Sequence, residues 1–155
     1  MPKVTPWLWF DTESEQAAEL YTSVFPNSRI VEVTRYGSAG PREEGLAMTV
    51  SFELDGQKVF ALNGGPDFKL SEAFSFQVDC EDQAEVDYYW EKLGEGGEHG
   101  PCGWLKDRFG LSWQIVPRRL PELLADPDRE KAQRVMAAML QMGKLDVAEL
   151  EAAAA

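Results

Sequence analysis

The sequence predicts an α+β fold built from two similar βαβββ modules, and three observations support this prediction. A strand pattern is followed by an amphipathic helix pattern twice along the chain, and further strand patterns come after each helix. Shifting the sequence by 68 residues aligns the two copies. The aligned pairs are Asp11 with Asp79, Glu13 with Glu81, Ala18 with Val86, and Tyr21 with Tyr89. Because this period is longer than that of solenoid repeats, it indicates two modules rather than a stacked array.

The length and composition indicate one domain spanning residues 1–155. The 155 residues, 44% of them hydrophobic, can bury one sizeable core. We assign module one to about 1–69, module two to about 72–117 and a helical extension to 118–155. A net charge of −12 argues against nucleic acid or an anionic membrane as a partner. No apolar run approaches the ~20 residues of a spanning helix, so we expect a soluble cytoplasmic protein.

Module one contains clear start, stop and turn signals. Thr12 and Glu15 form a capping box pattern, which predicts a helix start, and Pro26 ends the apolar periodicity. Asp55-Gly56 predicts a tight hairpin turn, because glycine tolerates positive φ. Strands are predicted at residues 4–10, 29–36, 46–54 and 58–63.

Module two repeats this order and ends in a distinctive hairpin. A strand from Phe74 to Val78 precedes a helix that is opened by the segment Asp79-Cys80-Glu81-Asp82 and stops at Gly94. The segment CGWLKDRFGLSWQIVP, residues 102–117, then has two apolar runs around an Asp-Arg-Phe-Gly turn. Alternation in the second run predicts one face with Leu111, Trp113 and Ile115, and another with Ser112, Gln114 and Val116.

The extension after residue 117 is predicted to be helical. Leu120, Leu123 and Leu124 form a short amphipathic segment, and a longer helix begins near Asp126-Pro127-Asp128. Its apolar stripe consists of Ala132, Val135, Met136, Met139 and Leu140. This stripe either packs against the chain's own sheet or crosses to a second subunit, and its period does not separate the two. The tail 149–155 is expected to fray.

Three segments together resemble a known family. CGWLKDRFGLSWQIVP, the early PWLWFD and the central ALNGG are similar to the PhnB-like branch of the vicinal oxygen chelate superfamily, which includes glyoxalases and bleomycin-resistance proteins. That branch carries the legacy label 3-demethylubiquinone-9 3-methyltransferase. The resemblance implies that the two modules form a curved, cup-like mixed sheet with helices outside, and that the protein is a homodimer.

The resemblance also implies where metal ligands would lie on the concave face. The corresponding positions are Thr5 to Trp7, Asn63, Ala73 and Gln114, and none is His, Asp or Glu. Because transition metals favour imidazole, thiolate or carboxylate ligands, we expect no metal and no other cofactor. The methyltransferase label also lacks support, since no glycine-rich turn with a following acidic residue suggests a bound adenosyl cofactor.

Strand parity predicts a concave face lined by aromatic and amide side chains, with no fixed charge on its strands. The predicted ligand-binding residues are Trp7, Trp9, Asn63, Ser75, Gln77, Trp104, Ser112 and Gln114. Such a lining suits a small, largely uncharged molecule rather than acid–base catalysis. The alternative is a metal-dependent enzyme of the glyoxalase or dioxygenase class with atypical ligands.

His99 and Cys102 are weak candidates for a nucleophilic pair. They lie three residues apart in a glycine-rich loop, and a histidine can activate a thiol. The simpler interpretation is that the thiol is a small packing residue. Cys80 opens the second helix region, and two cysteines are too few for a disulfide framework, so both are expected to be reduced.

Overall fold

The computed structural model describes residues 2–155, and the chain divides into two compact units, Met1–Leu70 and Ser71–Ala155. Each unit has one four-stranded mixed sheet, and three further helices follow the second sheet. The predicted α+β class with two βαβββ modules and C-terminal helices is therefore confirmed. Between residues 2 and 155, no helix is long and apolar enough to cross a membrane.

Unit one contains five elements in the predicted order. They are β1 (Trp7–Phe10), α1 (Ser14–Val24), β2 (Arg29–Arg35), β3 (Ala47–Leu54) and β4 (Gln57–Asn63). The sheet order is β1-β4-β3-β2, with β1 parallel to β4 and the other pairs antiparallel. Asp55 and Gly56 both have positive φ, as the predicted turn between β3 and β4 requires.

One side of this sheet packs on α1, and we call it the helix face; the opposite side is the open face. Tyr21 of α1 is fully buried together with Val50 and Phe52 of β3. Leu8 and Phe10 are also buried, whereas Trp7 and Trp9, which alternate with them in β1, are more exposed. The core of unit one therefore lies between α1 and the helix face.

The capping box predicted at the start of α1 is wrong. The helix begins at Ser14, and the Thr12 hydroxyl donates to the Glu13 carboxylate rather than to a helix backbone group. Glu15 forms an ion pair with Arg35 of β2. Instead, the backbone N–H of Ser14 donates to Oδ1 of Asn63, at 2.9 Å. A residue at the far end of β4 thus satisfies a helix-start donor that the local motif was expected to satisfy.

Unit two repeats the arrangement and adds the extension. Its elements are β5 (Ser75–Cys80), α2 (Gln83–Gly94), β6 (Glu98–His99), β7 (Trp104–Lys106), β8 (Ser112–Pro117), α3 (Arg119–Leu124), α4 (Arg129–Met139) and α5 (Val147–Ala154). The sheet order is β5-β8-β7-β6, with β5 parallel to β8. The predicted helix start is confirmed, because Asp82 is the N-cap and accepts a hydrogen bond from the backbone N–H of Glu85.

Asp107 organises the hairpin between β7 and β8. It is only 2% exposed, and its Oδ1 accepts hydrogen bonds from the backbone N–H groups of Phe109 and Leu111. Its Oδ2 accepts a hydrogen bond from the Trp113 indole at 2.9 Å. Three donors therefore satisfy this buried carboxylate and fix the turn. As the alternation predicted, one buried face of the segment 111–117 carries Leu111, Trp113 and Ile115. It is the side of the second sheet that packs on α2, and we call it the helix face of unit two, with the open face opposite.

The extension forms its own apolar cluster rather than packing mainly on the sheet. Its buried members are Leu120, Leu123, Val135, Leu145, Leu150 and Ala154. Val135 and Met139 of the predicted stripe pack into this cluster, whereas Leu140 is 57% exposed. The expected fraying of 149–155 is wrong, because α5 buries Leu150 and Ala154 there.

Candidate functional site

The open face of the unit-two sheet brings together five of the predicted ligand-binding side chains. Strand register places Ser75 beside Ser112, Gln77 beside Gln114, and Trp104 opposite Gln114. The side-chain amide of Gln114 donates to the Ser75 hydroxyl at 3.0 Å, which links β8 to β5. The five side chains are therefore neighbours on one surface, with Gln114 at its centre.

This face also carries charge, so the prediction of a surface with no fixed charge is wrong. Lys106 of β7 is paired with Ser112, and Glu98 of β6 is paired with Lys106. Lys106 forms an ion pair with Glu72, which precedes β5. Side-chain alternation was used to predict the faces of β1, β4, β5 and β8, but not those of β6 and β7. Lys106 and Glu98 lie on those two strands. Asp79 of β5 also lies on this face, where its carboxylate accepts a hydrogen bond from the Gln77 amide at 2.7 Å.

The Lys106–Glu72 pair shifts both ionisations. The pKa of the Glu72 carboxyl lies below its ordinary value, mainly because Lys106 donates a hydrogen bond to it. The pKa of Lys106 is raised, first by the same hydrogen bond and then by the charge of Glu72, with a smaller contribution from Glu98. Both groups are therefore charged at neutral pH.

A small pocket opens on this side of unit two. Its volume is about 180 Å³, and its lining residues are Glu72, Glu98, His99, Gly100, Pro101, Trp104, Leu105, Lys106 and Ser112. Ser112 is 1% exposed, and its hydroxyl oxygen has no hydrogen-bond partner among residues 2–155. Most buried polar atoms in proteins are paired, so this unpaired hydroxyl beside the pocket is unusual.

The extension holds the loop that borders the pocket. The backbone N–H of Cys102 donates to the carbonyl of Met142 at 2.7 Å, and that of Gly103 donates to the carbonyl of Gly143 at 2.8 Å. Gly103 has a φ of +83°, and a Cβ there would lie 2.8 Å from the Ile115 carbonyl oxygen. Only glycine fits this position without strain. The path of the chain into Trp104 thus depends on residues beyond 117.

The predicted tryptophans of unit one lie on that unit's own open face. Trp7 is 52% exposed and stacks on Phe60, with ring centroids 4.5 Å apart. The Trp9 indole donates to the Gly65 carbonyl at 3.0 Å. A side chain at Gly64 would overlap this indole, and Gly65 has a φ of +107°, which favours glycine. These contacts give Trp9 a structural role in holding the loop after β4.

Asn63 does not lie on the open face, and the prediction that it lines the ligand surface is wrong. It is fully buried on the helix face. Besides accepting from Ser14, it donates through Nδ2 to the Ala47 carbonyl at 2.9 Å. The strand register explains the error. In unit two, Gln114 of β8 pairs with Gln77 of β5. In unit one, the residue of β4 that pairs with the corresponding Trp9 of β1 is Leu62. The open-face counterpart of Gln114 is therefore Leu62, one residue before Asn63.

The open-face residues do not fit a transition-metal site. Leu62 offers no donor atom, and Gln114 and Ser75 offer an amide and a hydroxyl that already bond to each other. Metals such as zinc require several imidazole, thiolate or carboxylate ligands converging on one point. Within the part of the chain that the structure describes, no group of three or more His, Cys, Asp or Glu side chains meets this requirement.

The structure does not join His99 and Cys102 into a catalytic pair. The His99 ring stacks on Trp90 of α2, and its Nε2 lies 3.0 Å from the Trp90 carbonyl oxygen. Among the residues that the structure describes, no hydrogen bond connects the His99 ring to Cys102. The Cys102 side chain is half-buried. Cys80 is fully buried, and this burial, followed by the charges of Glu85, Asp79 and Asp82, raises the pKa of its thiol to about 12.

Comparison with solved structures shows that the chain shares a known fold. The fosfomycin resistance protein FosX from Mesorhizobium loti shares the fold at a TM-score of 0.56 and 18% identity, with 81% of this chain and 100% of that chain covered. Protein PA1353 from Pseudomonas aeruginosa gives a TM-score of 0.63 at 17% identity, over 76% of this chain and 98% of that chain. The two-module fold is that of the vicinal oxygen chelate superfamily.

Within that superfamily, the chain belongs to the PhnB-like family described as 3-demethylubiquinone-9 3-methyltransferase, whose profile matches residues 2–116. The PhnB protein from Bacillus cereus, which carries the same methyltransferase description, is 33% identical, with a TM-score of 0.69 over 75% of this chain and 99% of that chain. A search of curated proteins gave no match. The family match ends before α3, so the helical extension lies outside it.

Proposed function

We propose that this protein binds a small molecule with a largely apolar, uncharged body in the pocket on the open face of unit two, without a bound metal. The observation that supports this proposal is the unpaired, buried hydroxyl of Ser112 at the wall of that pocket. Leaving such a group without a partner costs about 1–3 kcal/mol. A ligand that supplies a hydrogen-bonding atom there removes this cost on binding.

The rest of the lining suits a flat apolar fragment. Trp104 is half-buried, and its neighbours in the pocket wall include Pro101 and Leu105. Indole rings bind flat groups through stacking and the burial of apolar area. The pocket is smaller than the about 300–1,000 Å³ of drug-sized sites, so it matches a fragment of about one ring. Its polar atoms would orient that fragment.

Nucleophilic or metal-dependent catalysis has less support from the site. The Cys80 thiol is protonated at neutral pH because of its raised pKa, and His99 is engaged with Trp90. Neither Gln114 nor Ser75 is a general base at neutral pH. A metal-dependent enzyme of the glyoxalase or dioxygenase class would need ligands other than the open-face residues.

Titration with benzyl alcohol, followed by NMR of the tryptophan indole N–H signals, tests the proposal. We expect saturable shifts of the Trp104 signal, assigned by Trp104→Phe, and weaker binding in Ser112→Ala. Ser38→Ala is the matched control, because Ser38 is an exposed serine of unit one. Elemental analysis of the same sample should find no stoichiometric transition metal. Absence of saturable binding, or one zinc or manganese per chain that is lost on mutating Gln114, would contradict the proposal.

The homodimer and the cytoplasmic location stay predictions. The α4 stripe that suggested a dimer is partly occupied within the chain, since Val135 and Met139 pack in the extension. Exposed apolar side chains that a second copy could cover include Trp7, Phe68 and Leu140. Light scattering at micromolar concentration measures the oligomeric state directly.

A further inference from the structure

The balance of charge around the pocket is negative. Two carboxylates, Glu72 and Glu98, line it together with the single ammonium group of Lys106. Lys106 lies between them, because it pairs with Glu72 through its side chain and faces Glu98 across the β6–β7 ladder. One negative charge therefore remains uncompensated by a positive group of the lining.

We propose that the ligand of this pocket is a small organic cation, namely a protonated amine attached to an apolar ring. The inference rests on the proposed function, because it names the chemical class that the same pocket takes. The amine would lie beside the Glu98 carboxylate, the ring would lie on the Trp104 indole, and Ser112 would accept or donate one further hydrogen bond. An aromatic face next to a carboxylate is a favourable environment for an ammonium group.

A neutral ligand would leave this charge arrangement unused, and an anion would oppose it. The whole chain carries a formal charge of −12, which repels anions and attracts cations at long range. Lys106 is the one cation in the lining, and it is already paired with Glu72. A carboxylate ligand would therefore have to displace Glu72 while remaining close to Glu98.

An amine can enter at little cost, because the internal ion pair is exposed. The side chains of Lys106 and Glu72 are 33% and 66% exposed, and pairs of this kind contribute little to stability. An incoming ammonium group could therefore share Glu98 and Glu72 with Lys106 without unfolding any part of the sheet. Lys106 then competes with the ammonium group of the ligand for these two carboxylates. Removing the positive charge of Lys106 should strengthen the binding of a cation.

The test compares three probes of nearly equal shape: benzylamine, which is protonated at pH 7, benzyl alcohol, which is neutral, and benzoate, which is an anion. Each is titrated into the full-length protein, and the dissociation constant is taken from the indole N–H shifts. We expect benzylamine to bind about tenfold more tightly than benzyl alcohol, from its charge-assisted hydrogen bond to the Glu98 carboxylate. Benzoate should bind more weakly than benzyl alcohol.

Three variants separate charge recognition from a general effect on the fold. Glu98→Gln should reduce the preference for benzylamine several-fold and leave the affinity for benzyl alcohol unchanged. Lys106→Gln should increase the affinity for benzylamine, an effect that a merely damaged pocket would not give. Glu95→Gln is the matched control, because Glu95 is an exposed acid of the same unit outside the pocket lining, and it should change neither affinity.

The outcomes distinguish the two proposals. Equal affinities for benzylamine and benzyl alcohol, both reduced by Ser112→Ala, would leave the pocket in place and overturn the cation inference. Weaker binding of benzylamine in Lys106→Gln would also overturn it. If none of the three probes binds saturably at millimolar concentration, the proposed function fails and the cation inference falls with it.

Discussion

Replacing Asn63 by alanine tests whether this residue supports the fold or binds a ligand. In the structure it is fully buried and makes two hydrogen bonds of 2.9 Å, one to the N–H of Ser14 and one to the carbonyl of Ala47. The substitution removes both bonds and leaves two buried backbone groups without partners. Asn63 therefore connects the start of α1, the start of β3 and the end of β4.

The expected destabilisation follows from these two bonds. Each of the two buried groups that lose their partner costs about 1–3 kcal/mol, so Asn63→Ala should lower the free energy of unfolding by about 2–6 kcal/mol. A domain of this size has about 5–15 kcal/mol in total, so the variant should still fold under mild conditions. Gln114→Ala is the comparison, because that half-buried amide has a single side-chain partner, and its loss should cost about 1 kcal/mol or less.

Urea denaturation followed by circular dichroism measures both variants. We expect a large drop in the urea concentration at the midpoint of unfolding for Asn63→Ala and a small drop for Gln114→Ala. In benzyl alcohol titrations the order should reverse, because Gln114 lies on the open face near the pocket and Asn63 does not. A stability of Asn63→Ala within about 0.5 kcal/mol of the parent protein would show that these bonds are not formed and would refute the argument.

Four further predictions concern the hairpin, the extension, the thiols and the dependence of stability on pH. Asp107→Asn should lower the free energy of unfolding by about 1–3 kcal/mol, because an amide nitrogen cannot accept the hydrogen bond of the Trp113 indole; a melting temperature equal to the parent's would contradict this. Leu145→Ala should lower the free energy of unfolding by about 2–5 kcal/mol, because the fully buried side chain packs beneath the loop before β7. Denaturant titration measures this loss, and a smaller value would mean that the extension is not a fixed part of unit two. A thiol reagent at pH 8 should label Cys102 in the folded protein and Cys80 only after unfolding, because Cys80 is 0% exposed. Since the pKa of Cys80 rises from 9.0 to about 12 on folding, the unfolded state releases this proton first, and stability should fall as the pH rises above about 9.

The periodic segments of the chain were predictable because their determinants are local. Alternation in residues 111–117 correctly predicted that Leu111, Trp113 and Ile115 share a buried face, although Ser112 on the other face is buried too. Asp55-Gly56 correctly predicted the turn before β4. The shift of 68 residues revealed two modules because each one repeats the same apolar faces. The CGWLKDRFGLSWQIVP segment could be recognised as a hairpin, since its turn is enclosed within a few residues.

The failures of prediction occurred where a contact joins distant residues. The N–H of Ser14 is satisfied by Asn63, 49 residues away, so the local capping box of Thr12 and Glu15 was misleading. An error of one position at the end of β4 exchanged Leu62 for Asn63, and in a strand this moves a side chain to the opposite face. The predicted strand end was right, but parity gives two faces without stating which of them packs on the helix.

The candidate site itself depended on tertiary structure. Local patterns determined that Ser112 and Gln114 share a face of β8, because side chains alternate along a strand. The pairing of β6 with β7, and of β7 with β8, placed Glu98 and Lys106 on that same face. These two strands are too short for their sequence pattern to show which strands they pair with. Likewise, the extension packs its apolar residues together because they exclude water from one another, and its tail is helical for that reason. The sequence alone determined most of the elements and the alternation within each strand. The folded chain decided which face of β4 is buried and which charges, hydroxyls and loops meet at the pocket, since those contacts depend on distances between residues far apart in the chain.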